Sequence, residues 1–132
     1  MSDDKVKVVR TAYDCLNRRD VEGLLRLCHG DFVMDMSERV FNPDTYRGAD
    51  GIRRFCKEVD GAWQSYEWTV EETRVVDDCV VAMLHCVGQG REGGPAVDWR
   101  VAWLWRFRDG TPVSLRFYRQ RAEALEAVGL RE

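Results

Sequence analysis

The sequence predicts an α+β fold in which helices lie against one face of a curved antiparallel sheet. Two patterns predict it. Residues 3–20, 20–30 and 49–63 space apolar side chains as helices do, and residues 66–120 hold four long period-two stretches divided by turn formers. The first helix, in DDKVKVVRTAYDCLNRRD, aligns Val6, Val9, Tyr13 and Leu16, with acids first and arginines last as the helix dipole favours, and ends near Asn17. Asp20 stands as N-cap of a short second helix striped by Val21, Leu24, Leu25 and Leu27 and stopped by Gly30. DFVMDM reads as a short strand, SERVFNPDTYRG as a loop, and Ile52, Phe55, Cys56 and Val59 share one face of a third helix ending near Gly61. An antiparallel meander follows: YEWTVEETRVV, CVVAMLHCVGQ, VDWRVAWLWRFR and VSLRFYRQ, with turns at Asp77-Asp78, GREGG and RDGTP. A last helix, RAEALEAVGL, carries Gly129 as its stop. No repeat or linker divides the chain, so a single domain spans residues 1–132.

The bulk numbers set limits on function. With 45% hydrophobic and 33% charged residues the chain has the composition of a globular protein, and 132 residues suffice for a real core. A net charge of −3 gives no electrostatic case for nucleic acid or a membrane surface, and the pairs Arg18-Arg19 and Arg53-Arg54 sit among acids. No signal segment or membrane-length apolar run is seen, so a cytoplasmic location is expected. Cys15, Cys28, Cys56, Cys79 and Cys86 are odd in number, form no C-x-x-C pair and read as reduced packing thiols. His29 and His85 lack a second ligand at a metal-binding spacing, so neither metal nor cofactor is expected. GQGREG at residues 88–93 matches G-x-G-x-x-G but leads into Pro95 and a strand, so it is a hairpin loop and no phosphate site.

Order and spacing of several short motifs carry a resemblance over nearly the whole chain: LNRRD, DFVMDMS, YRGADGIRRF, YEWTVEE, WRFRDGTPV and FYRQRAEALEAVGL. The chain resembles the SnoaL-like branch of the nuclear transport factor two-like superfamily, which also holds ketosteroid isomerase. The resemblance implies a cone-shaped curved antiparallel sheet with three helices of the N-terminal half on its concave face and a short C-terminal helix. It also implies a cavity between sheet and helices, and pairing of subunits through the outer face. It does not bring the family's chemistry along. Met36 and Trp103 stand where the isomerase has its aspartate base and acidic donor, Ala12 beside Tyr13 stands at its tyrosine, and SLRFY replaces the cyclases' aspartate. Asp98 and Arg100 match half of the relay found in epoxide hydrolases, but they alternate with the tryptophans and would need a bulge to face inward.

Parity then assigns the faces. Trp99, Val101, Trp103 and Trp105 are read as inward, as are Leu115, Phe117 and Arg119 on the last strand. On the CVVAMLHCVGQ strand the larger Val81, Met83 and Val87 share a parity with His85, which places His85 inside too. Tyr13, Met34, Met36, Phe55, Trp63 and Met83 are expected to complete a pocket for a small apolar or aromatic ligand. His85 is the candidate proton-transfer group, or else a hydrogen-bonded core histidine; Arg119 is a candidate donor to a carboxylate or carbonyl, or closes a rim salt bridge to Glu123. A cofactor-independent isomerase, cyclase or hydrolase is one reading, and a binding or dimerisation module with its cone filled by indoles is the other. Val80, Ala82, Leu84 and Cys86, with Ala102 and Leu104, are read as an outer apolar strip covered by a second subunit in a homodimer.

Overall fold

The computed structural model describes residues 2–40 and 42–131. Helices α1 (Ser2–Arg18) and α2 (Val21–Leu27) lead into a short strand β1 (Val33–Asp35), a second short strand β2 (Thr45–Arg47) and helix α3 (Gly48–Ala62). Four long strands follow, β3 (Trp63–Val76), β4 (Cys79–Gly90), β5 (Ala96–Arg108) and β6 (Thr111–Tyr118), and then helix α4 (Arg121–Ala127). Between α1 and α2 the chain reverses with Arg19 at φ 60°, its amide and that of Asp20 closing on Leu16 and Cys15 carbonyls. The Asp20 carboxylate then accepts from the Gly23 amide at 2.9 Å, capping α2. That helix ends earlier than Gly30, because Cys28 is already extended.

The sheet runs β2-β1-β6-β5-β4-β3. It is mixed, which corrects the all-antiparallel expectation: β1 lies parallel to β6, Met34 opposite Leu115, while every other pair is antiparallel. Strand β2, read from the sequence as loop, exists because β1 offers it an edge: Tyr46 pairs with Met34 and is buried. Register shifts in β3 and between β5 and β6 bend the long strands. The Asp109-Gly110 turn, both residues at positive φ, closes the last hairpin as a tight two-residue connection requires.

Two cores result. On the concave side α1, α2 and α3 pack Val9, Tyr13, Leu16, Leu24, Ile52 and Phe55 against Val80, Ala82, Leu84, Cys86, Trp103 and Trp105. On the other side α4 lays Ala124 and Leu125 over Cys79, Val81, Met83, Ala102 and Leu104. This second core overturns the predicted outer strip. Val80, Ala82, Leu84 and Cys86 face inward, while Ala102 and Leu104 face outward beneath the chain's own C-terminal helix. The parity of β4 was misread because both faces of the strand are buried, so side-chain size carries no orientation. Register decides it instead: Leu84 pairs with Val101 and His85 with Arg100. Val81, Met83 and His85 therefore point away from the tryptophans.

Candidate ligand cavity

A cavity of about 400 Å³ lies between the concave face and α3. Its walls follow from three local features. Helix α3 turns Phe55, Glu58 and Val59 to the sheet on successive turns; β5 presents Trp99, Val101 and Trp103 on one parity; and β3 leaves α3 at once with Trp63, followed by Tyr66 and Trp68. Tyr66 leans inward over Gly88, where an added Cβ would stand 2.6 Å from its ring. The rings form a continuous belt. Centroid distances are 5.2 Å for Trp63–Tyr66, 4.6 Å for Tyr66–Trp68, 6.1 Å for Trp68–Trp103 and 6.4 Å for Trp103–Phe55.

Of the residues expected to line the pocket, Met36, Phe55, Trp63, Trp99, Val101, Trp103, Phe117 and Arg119 border this cavity. Tyr13, Met34 and Leu115 are buried but sit in the packed core away from it. Tyr13 instead accepts the Trp105 indole N–H at 2.9 Å, and Met34 and Leu115 face each other across the parallel strand pair. Met83 belongs to the outer core under α4. His85 lies on the outer face, where its Nε2–H donates to Asp98 Oδ1 at 2.6 Å. Its expected place in the pocket is thus corrected by one residue of parity. No bulge turns Asp98 or Arg100 inward, since β4 and β5 pair without a register shift, and Arg100 is held by Glu71 at 2.9 Å.

Sequence reasoning missed Arg39, Glu58, Tyr66, Trp68 and Cys86 as lining residues. Arg39 comes from the segment between β1 and β2 and donates to the Tyr46 hydroxyl at 2.8 Å; Tyr46 donates in turn to Glu58 Oε1 at 2.6 Å. Glu58 Oε2 meets Arg54 at 3.1 Å. Tyr66 accepts the Trp99 indole N–H at 3.1 Å. Burial raises the Tyr66 hydroxyl and pushes the neighbouring Cys86 thiol up to about 12, so both stay protonated at neutral pH. Arg119 donates through Nε to the Glu38 carbonyl at 2.8 Å and makes no salt bridge to Glu123. Among the described residues no group of three or more His, Cys, Asp or Glu side chains could hold a metal ion, and no helix is long and apolar enough to cross a membrane.

The model of the SnoaL-like domain family matches residues 9–114, which takes in the C-terminal part of α1, α2, α3, strands β1 to β5, the start of β6 and nearly every wall of the cavity. The chain belongs to this SnoaL-like family. No curated protein gives a significant match. Among solved structures, an NTF2-like protein of unknown function from Burkholderia pseudomallei shares 19% identity with the SnoaL-like chain at TM-score 0.77, covering 96% of this chain and 98% of its own. A hypothetical protein with a ketosteroid isomerase-like fold from Catenulispora acidiphila, in complex with trimethylamine, shares 18% at TM-score 0.74, covering 93% and 92%. RV0760c from Mycobacterium tuberculosis, in complex with estradiol-17beta-hemisuccinate, shares 22% at TM-score 0.74, covering 89% and 94%. At these identities the likeness is one of fold.

Proposed function

We propose that this SnoaL-like chain is a small-molecule-binding protein whose cavity takes a flat, mostly apolar cyclic or aromatic compound. The observation that carries the reading is the density of rings around one cavity: Phe55, Trp63, Trp68, Trp99, Trp103 and Phe117 all border it. Such walls offer broad apolar faces and few hydrogen bonds, which favour planar guests. The small molecules bound to proteins of the same fold support a ligand here as well.

Capture without turnover fits the polar groups better than isomerase, cyclase or hydrolase chemistry. Acid–base catalysis works best with a group that titrates near neutrality. Tyr66 and Cys86 hold their protons, Glu58 is bonded by Tyr46 and Arg54, and His85 is on the far side of the sheet. We place the protein in the cytoplasm, in keeping with its five free thiols. A homodimer through the outer face would rest on the polar cluster of Glu71, His85, Asp98 and Arg100, with Val87 exposed nearby, and sedimentation at micromolar concentration tests it.

The binding reading is tested by titrating the protein with 2-naphthamide, a neutral two-ring probe, while following tryptophan fluorescence and native mass. Saturable quenching and a one-to-one complex are expected, both weakened by Trp99→Ala. Absence of any complex at millimolar probe overturns the reading.

A further inference from the structure

We infer that the ligand of this cavity carries one anionic group, a carboxylate or similar oxyanion, held at the mouth by Arg119 and Arg39 while its ring lies among the indoles. The inference rests on the reading of the cavity as a ligand site. Three charged side chains border the cavity, Arg39, Glu58 and Arg119, two positive against one negative, the side chain of the bordering Arg100 being turned to the outer face. The one negative charge, Glu58, has Arg54 beside it at 3.1 Å. Positive charge is in surplus on the wall that remains.

Arg119 supplies it in usable form. Its Nε is spent on the Glu38 carbonyl, a neutral acceptor, while its two Nη groups take no partner among the described residues. A guanidinium anchored through one nitrogen presents the other two as a fork that matches a carboxylate. The anchor also fixes where the fork stands, because Glu38 adjoins Arg39 in the chain. Both residues border the cavity. An aromatic belt can also hold a cation, but guanidiniums already lie over rings of this region, Arg39 at 5.6 Å from Phe55 and Arg19 at 5.7 Å from Trp68. A second cation would meet like charge there.

The experiment compares three probes of one shape by tryptophan fluorescence at low salt: 2-naphthoate, neutral 2-naphthamide and (2-naphthylmethyl)trimethylammonium. Naphthoate is expected to bind about tenfold tighter than the amide, with the advantage shrinking in high salt. Arg119→Gln, checked for an unchanged melting curve, is expected to remove most of that advantage, weakening naphthoate far more than the amide; Arg39→Lys gives an intermediate loss. Equal binding of acid and amide, tighter binding of the ammonium, or an Arg119→Gln protein that keeps the full preference overturns the anion assignment and leaves the cavity reading intact. If none of the three binds, the cavity reading falls and takes this inference with it.

Discussion

Trp105 is the largest of the fully buried side chains, and its indole N–H has one acceptor, the Tyr13 hydroxyl 2.9 Å away. A buried donor without a partner costs about 1–3 kcal/mol. Tyr13→Phe keeps the ring contacts with Trp103 and Trp105 and removes only that acceptor, so unfolding free energy should fall by about this amount in urea titrations. The thiols make a second prediction at this scale. Burial pushes Cys28 and Cys86 up to about 12 and Cys56 up to about 11, whereas a thiol in the unfolded chain ionises near ~8.5. The folded state thus keeps protons that the unfolded state has lost. Stability from this source is full below about pH 8.5 and declines as pH rises toward the folded values. Melting temperature should be level from about pH 6 to 8 and lower at pH 10, and iodoacetamide at pH 8 should leave Cys86 unmodified by mass spectrometry.

Among the elements, β4 is held on two sides, and each side has its own test. On the concave side, Gly88→Ala would drive a Cβ into the Tyr66 ring, which is fixed by Trp63 and Trp68 and cannot swing away cheaply. A loss of about 1–3 kcal/mol in stability is expected, together with weaker binding of aromatic probes, read by melting and fluorescence. On the outer side, removing residues 120–132 strips α4 from Val81, Met83, Ala102 and Leu104. The bared strip should make the protein associate or precipitate, seen as a mass increase in light scattering. The same strand shows how far the sequence could be read. Helix spacing was legible because one face of each helix is apolar and the other polar, the Asp20 cap because of its residue type, and the inward parity of β5 because Trp99, Trp103 and Trp105 share it against the small Ala102 and the charged Arg100 and Arg106. In β4 that contrast vanishes, so His85 and Met83 were assigned to the wrong face. Arg39 gave no periodic signal, since a loop places it, whereas Tyr66 shares a parity with Trp68 and Val70 and could have been assigned to the cavity on that ground.

For the molecule as a whole, the parallel contact of β1 with β6 governs how the fold is reached. It joins segments about 80 residues apart, Val33 facing Ser114 and Asp35 facing Arg116. Closing so long a loop is entropically costly and comes back only once the pairing is complete. During synthesis, therefore, Met34 must wait without its β6 neighbour Leu115 until the last strand has left the ribosome. A nascent chain stopped before residue 111 would have helices α1 to α3 and strands β3 to β5 but no β6 to lie beside β1, and a chaperone that recognises apolar segments would find its target there. The cavity is in this sense the last part of the protein to come into being.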